Sequence, residues 1–318
     1  MSMDLKTVEY VVFDEADRYP FYHLFLKDAI VFRLFEMGFA AQLHEILHRL
    51  PSSRQTSLFS ATLPQVLVDF AKAGLINPIL IRLDVDAKIS EDLEMLFFFI
   101  RQEDKLAALL YLLRDIIHLS SSSTSASNKF THGKGEGHFK DHQTVVFCST
   151  RHHVEHISAI LAKAGYAVSY VYGQLDQVAR RQQIETFRKG NAELLVVTDV
   201  AARGIDIPIL ENVVNYDFCP GSKIFVHRVG RVARAGRPGK AYSLITRDDL
   251  PYLLDLSLFL GKSIALPYVT QTGYDKDEMI LGKMPAELLE MDVEWIRNRM
   301  VEDTDLVVFK MAFSFAMS

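Results

Sequence analysis

Five short apolar runs, residues 144–148, 167–172, 193–198, 212–216 and 241–246, recur along the chain with a helix-period segment in every gap. Runs of this length bounded by polar segments are strands buried on both faces, and a strict alternation of strand and helix is the pattern of a parallel sheet. Two parallel strands need a crossover of a dozen residues or more, which the helical segments supply. A shorter array precedes this one, with strands expected at 8–13, 55–59 and 79–83 and helices at 37–50 and 64–73. Between the arrays, residues 103–117 carry Leu106, Leu109, Leu110 and Leu113 on one helical face. The expected fold class is therefore α/β, with two parallel-sheet domains of which the first is incomplete. Its divisions are a first domain at 1–83, a polar aperiodic linker at 84–94, a second domain at 95–265 interrupted by a serine-rich, disordered loop at 120–140, and a tail at 266–318 in which the alternation is lost and no role is legible.

With 318 residues and 49% hydrophobic content, the chain has material for two cores. Its two cysteines, Cys148 and Cys219, sit in apolar strand-like surroundings without metal-ligand or redox spacing, so free thiols are expected and neither a disulfide nor a zinc site. The first residues lack a basic and apolar leader, and no apolar stretch reaches the roughly 18 residues of a membrane helix. A formal net charge of −5 argues at first against a polyanionic partner. The local distribution argues the other way, because Lys223 to Lys240 holds six basic residues and no acid.

Within that block, His227, Arg228, Gly230, Arg231, Arg234 and Arg237 set four arginines at a spacing of three. If the segment is helical, Arg228, Arg231 and Arg234 share a face and present rigid, permanently charged forks to one ligand. Three other segments keep it company at strand ends: Asp14-Glu15-Ala16-Asp17, Ser60-Ala61-Thr62, and the run from Thr198 and Asp199 through Arg203 and Gly204 to Asp206. Ligands of parallel α/β sheets sit outside the carboxyl ends of strands, where Asp14 and Glu15 fall. Mg²⁺ takes hard oxygen ligands and keeps several waters, so Asp14 suits a metal-phosphate site and Glu15 the orientation or deprotonation of an attacking water. Each segment also has an ordinary structural reading: an acidic turn, a hydroxyl cap ahead of Pro64, a glycine bend.

Taken together and in this order, the four segments resemble the DEAD-box RNA helicases, over roughly residues 6–261. The resemblance implies tandem RecA-like domains, ATP and Mg²⁺ as cofactors, and RNA as a backbone-contacted partner. It implies Glu15, Arg231 and Arg234 as catalytic residues, the two arginines as fingers on the transferring phosphoryl. Asp14 would bind the metal and Asp206 the ATP ribose. Thr150, Arg151, Gly173, Gln177, Arg180, Thr198 and Gly204 would face RNA, while Asp17, Ser60, Thr62 and His227 would couple the lobes. Backbone contacts of this kind bind without reading sequence and are sensitive to salt. The run from Tyr172 to Arg180 and the Val232-Ala233 pair are similar to the nucleolar branch involved in large ribosomal subunit assembly, which implies a nuclear, nucleolar location and pre-ribosomal protein partners.

The chain departs from that family in three places. Residues 19–33, rich in aromatics at Tyr19, Phe21, Tyr22, Phe25 and Phe32, stand as an insertion where the family runs straight on, and are expected to act as an apolar wedge. Val232 and Ala233 replace the family's Thr and Gly. No glycine-rich loop ending in Lys and Ser/Thr occurs, since Gly261-Lys262-Ser263 follows a leucine-rich helical stretch rather than a strand. The chain is accordingly expected to be truncated through its first lobe, with the helicase reading belonging to the family and a rival reading, an RNA-binding fragment without hydrolysis, belonging to this polypeptide.

Overall fold

The computed structural model describes residues 7–13, 24–26, 29–32, 45, 48–59, 75, 77–81, 89–119, 143–202, 205, 210–234, 236–266 and 278–302. Its contacts divide the chain into two compact units, Met1–Asp84 and Val85–Ser318.

In the first unit, strands β1 (Tyr10–Phe13), β2 (Leu24–Leu26), β3 (Ala29–Phe32) and β4 (Gln55–Leu58) form a sheet in the order β2-β3-β1-β4. β1 lies between β3 and β4 and runs parallel to both, with Phe13 in register with Phe32 and Leu58. Val11 and Phe13 are buried, so one face of β1 carries core. The inserted segment departs from its expected role: β2 and β3 both fall within 19–33 and pair antiparallel, extending the sheet through backbone hydrogen bonds. The strand expected at 79–83 is also corrected. Residues 79–81 belong to no strand, and Ile79 and Ile81 are 87% and 81% exposed. Apolar composition alone does not make a strand where no neighbour pairs with it. The helix expected at 64–73 lies outside the described residues, and of 37–50 only Glu45, His48 and Arg49 are described as helical.

The second unit is built on β5 (Leu93–Phe99), β6 (Thr144–Cys148), β7 (Val168–Val171), β8 (Leu194–Thr198), β9 (Asn212–Asn215), β10 (Gly239–Ile245), β11 (Ile264–Ala265) and β12 (Met279–Lys283). They form an eight-stranded sheet in the order β11-β12-β5-β10-β9-β6-β8-β7, and every pairing is parallel. Successive side chains alternate between two cores, as period-2 geometry requires. Val145, Phe147, Leu195, Val197 and Val213 enter one; Val146, Cys148, Leu194, Val196 and Val214 enter the other. The helices divide accordingly. α1 (Lys105–Tyr111), α2 (Arg151–Lys163) and α7 (Ala286–Glu302) cover the second face. α3 (Gln177–Arg188), α4 (Asp199–Ala202), α5 (Ser222–Val229) and α6 (Leu250–Leu260) cover the first.

Leu106, Leu109, Leu110 and Leu113 are all buried, and α1 continues into a π-type turn over Leu112–Ile116. Gly261 closes α6 at φ +70, the left-handed C-cap that glycine suits, which settles Gly261-Lys262-Ser263 as a helix end. β5 starts at Leu93, inside the expected linker, and β12 and α7 lie beyond residue 266, where the sequence had lost its period. β12 is a five-residue run next to β5, too short to show a period; α7 packs Leu289, Val293 and Ile296 against the second core, and Arg114 with Asp292 at 2.7 and 3.1 Å ties it to the turn after α1. Among the described residues no helix is long and apolar enough to cross a membrane.

Candidate nucleic-acid interface and arginine turn

Because all eight strands run parallel, the loops that follow β6, β8 and β7, which are neighbours in the sheet, line one edge side by side. After β6, Thr150 caps α2, its Oγ1 accepting from His153 N at 3.2 Å, and Arg151 stands exposed with its guanidinium donating to Gln174 Oε1 of the loop after β7. After β7, Gly173 and Gln177 are exposed, and Asp176 caps α3 by accepting from Val178 N and Ala179 N at 3.0 and 3.3 Å. After β8, the buried Thr198 hydroxyl accepts from Ala201 N at 3.4 Å. Thr150, Arg151, Gly173, Gln177 and Thr198 are thus brought onto one edge where helix starts α2 and α3 face outward, a surface suited to anions. Arg180 departs from its expected role. It is buried, and Nη2 donates to Ala201 O at 2.9 Å, so it braces α4 from beneath instead of offering its charge to a phosphate.

The arginine block is also rearranged. α5 ends at Val229, so Arg228, Arg231 and Arg234 share no helix face. Arg228 is 1% exposed: Nε and Nη2 hold the two oxygens of Asp199, each at 2.7 Å, while Nη1 donates to Asn215 Oδ1 at 3.1 Å and Asp217 O at 2.7 Å. Its guanidinium stacks 5.1 Å from the Phe147 ring centroid. All its forks are engaged inside the protein. Arg231 is half-buried, with Nη2 at 3.2 Å from His227 Nε2, and Arg234 is exposed. His227 sits in the last turn of α5.

The turn carrying Arg231 and Arg234 does not lie on the strand-end edge. Leu210 N donates to Arg231 O at 3.2 Å and Gly239 N to Asp92 O at 3.1 Å, which puts the turn beside the beginnings of β9, β10 and β5. Ala233 takes φ +54 at the position where the family pattern has Gly, a conformation costing an L-residue about 1–2 kcal/mol, while its methyl joins the buried core. Gly239 makes the fit possible: a Cβ there would stand 2.5 Å from Ala233 N and 2.9 Å from Val232 Cβ. Gly239→Ala is therefore expected to cost about 1–3 kcal/mol in urea unfolding, since backbone and a β-branched neighbour must move. An unchanged midpoint would show that the turn yields freely.

Asp14, Glu15, Asp17, Ser60, Thr62, Gly204 and Asp206 lie outside the described residues. Among the described residues no cluster of three metal-ligating side chains occurs. Reading the sequence missed Asp217, Asp199, Ser149 and Lys105. Asp217 is buried and gathers Lys105 Nζ at 2.9 Å, Ser149 N at 2.8 Å and Ser149 Oγ at 2.9 Å, and the ring of His153, whose Nδ1 must carry its proton to face the carboxylate. Burial alone would raise its pKa; the His153 hydrogen bond, the Lys105 charge and the Ser149 amide outweigh it and hold the group well below the carboxylate range. A lone Asp just past an apolar strand was the signal available.

An all-parallel sheet with helices on both faces is the architecture of RecA-like domains, and comparison with known proteins agrees. The helicase conserved C-terminal domain family matches residues 135–236. ATP-dependent RNA helicase DBP10 of Pyricularia oryzae is 48% identical over 98% of this chain, and the protein of that name from Schizosaccharomyces pombe 49% identical over 96%. The chain spans about a third of the length of these curated relatives, 34% and 36%. The solved structure of S. cerevisiae Dbp5 bound to RNA and ADP BeF3 shares the fold, with a TM-score of 0.62 at 22% identity, covering 93% of this chain and 64% of that one. The chain is thus similar to ATP-dependent RNA helicases over nearly its whole length, and its second unit shares the fold of a solved one.

Proposed function

We propose that this chain serves an ATP-dependent RNA helicase of ribosome biogenesis, acting in the nucleus and concentrated in the nucleolus, with pre-ribosomal proteins as further partners. The identity to the DBP10 helicases across nearly the whole chain carries the reading. RNA is held through its backbone by the strand-end loops at Thr150, Arg151, Gly173, Gln177, Thr198 and Gly204, independent of sequence. Asp14 would hold Mg²⁺, which would supply charge neutralisation at the ATP phosphates. Glu15 handles the attacking water, Asp206 the ribose, and Arg231 and Arg234 the developing charge on the phosphoryl group. Asp17, Ser60, Thr62 and His227 couple the lobes. The domain limits proposed from the sequence, 1–83 and 95–265 about a linker at 84–94, are best revised so that the second lobe includes β12 and α7.

For this polypeptide by itself the expectation is RNA binding without RNA-stimulated ATP turnover, because no glycine-rich Lys-Ser/Thr loop stands among its residues to cradle the phosphates. Anisotropy of a labelled uridine 12-mer against its deoxy counterpart, with phosphate release measured in parallel, tests both parts. Tight binding to the RNA that weakens with salt, with flat phosphate release, is the expected pair of results. Equal binding to both strands would remove the RNA assignment, and turnover abolished by Glu15→Gln would restore activity to the chain.

A further inference from the structure

Asp217 sits at the carboxyl end of β9, next to β6 in the sheet, and spends its side chain on one small region. Ser149 N, Ser149 Oγ and the His153 ring all belong to the loop after β6 and the first turn of α2, the segment that presents Thr150 and Arg151. Lys105, from α1, supplies the countercharge at 2.9 Å and lies 4.9 Å from the Tyr216 ring centroid. The main chain of the same residue faces the other way, its carbonyl accepting from Arg228 at 2.7 Å, and Arg228 in turn grips Asp199 at the start of α4. Ser149, Asp217, Arg228 and Asp199 thus form a continuous hydrogen-bonded chain beneath two strand-end loops, buried at Asp217 and Arg228 and reaching the surface at Ser149. Burying a carboxylate and two cations here costs desolvation that an apolar core would avoid. What the polar chain supplies instead is direction, since each hydrogen bond fixes the placement of a loop that packing alone would leave loose.

We propose that Asp217 is a positioning residue for RNA binding, holding the Ser149–Arg151 loop so that the Arg151 guanidinium meets a backbone phosphate. The inference rests on the RNA reading above. Asp217 itself touches no ligand; it acts through Ser149 and His153, and it registers that loop to the Arg228–Asp199 pair.

The test uses the full chain and a labelled uridine 12-mer, titrated at several salt concentrations. Lys105→Met with Asp217→Leu removes the buried pair together, so that neither charge is left buried alone. It also removes every acceptor that Asp217 offers Ser149 and His153. The double variant is expected to bind about tenfold more weakly, the worth of one charge-assisted hydrogen bond. Its log–log salt slope should fall by about 0.7, one phosphate on a single strand, a readout that a loss of folded fraction does not move. Arg151→Ala lowers the slope equally in the wild-type background and adds nothing in the double variant. A folded double variant with the wild-type slope, or a full Arg151→Ala effect within it, overturns the proposal. Should the double variant not fold, Ser149→Ala decides: a reduced slope supports the proposal, an unchanged one overturns it. Absence of binding by the wild-type chain defeats the RNA reading first, before any variant is compared.

Discussion

Arg228→Ala is expected to destabilise the second unit by about 3–5 kcal/mol, the cost of removing one partner from a buried charge pair. Arg228 is the largest fully buried side chain among the described residues, and its removal strands several groups at once. Asp199 loses both hydrogen bonds to its carboxylate from Arg228, and Asn215 Oδ1 and Asp217 O each lose a donor. The space left beside Phe147 adds a cavity cost. Arg228→Lys keeps the charge but not the fork: one ammonium cannot serve Asp199, Asn215 and Asp217 together, so a loss of about 2 kcal/mol remains. Urea unfolding followed by circular dichroism measures both. Arg231→Ala and Arg234→Ala, on the turn beyond α5, should stay within about 1 kcal/mol of the wild type, because neither side chain is buried. If Arg228→Ala unfolds at the wild-type urea concentration, the buried network contributes nothing to folding and the contrast among the three arginines disappears.

That contrast marks the limit of what the sequence made legible. The central strands of the second unit were readable because they are buried on both faces and largely apolar, as Thr144–Cys148 and Leu194–Thr198 are. The arginine spacing suggested one helix face, although Gly230, directly after the last residue of α5, was a stop signal; nothing in the string reveals that Ala233 turns left-handed. The turn beyond the helix is set by tertiary fit against Gly239 and Leu210, residues before or beyond the motif. The same holds for Arg180, expected to face RNA, whose guanidinium instead reaches Ala201 O. Motif arginines look alike in sequence; their partners distinguish brace from ligand group.

The strand-end residues were more legible, for a physical reason. Loops after parallel strands emerge on one edge whatever their sequence, so knowing the strands places Thr150, Gly173, Gln177 and Thr198 together. The acids underneath were not legible, because Asp199 and Asp217 pair with groups 29 and 112 residues away, Arg228 and Lys105. The first unit was the least readable. An aromatic-rich insertion with a proline suggested disturbance, yet backbone pairing with β1 gives β3 a place in the sheet.

Between pH 6.5 and about 4 the protein is expected to lose about 2–3 kcal/mol of stability through His156 alone. His156 lies on α2 with its Nδ1 buried and without a hydrogen-bond partner. Burial, reinforced by the neighbouring His153, lowers its pKa from 6.5 to about 4. In that window the unfolded chain binds a proton there and the folded chain does not, so stability is complete above pH 6.5 and declines as pH falls to the folded value. Asp217 acts in a separate window: its depressed pKa stabilises above the ordinary carboxylate range and is lost only below it, under pH 4. His156→Leu removes the titrating group and the orphaned nitrogen together. It should match or exceed the wild type at pH 7.5 and flatten the decline towards pH 4.5 by about 2 kcal/mol, leaving the steeper loss below pH 4 intact. Urea unfolding of both proteins at half-unit pH steps reads the difference directly. Parallel curves for the two would mean that His156 gains its proton in the folded protein as readily as in the unfolded one, and that the orphaned nitrogen reaches solvent.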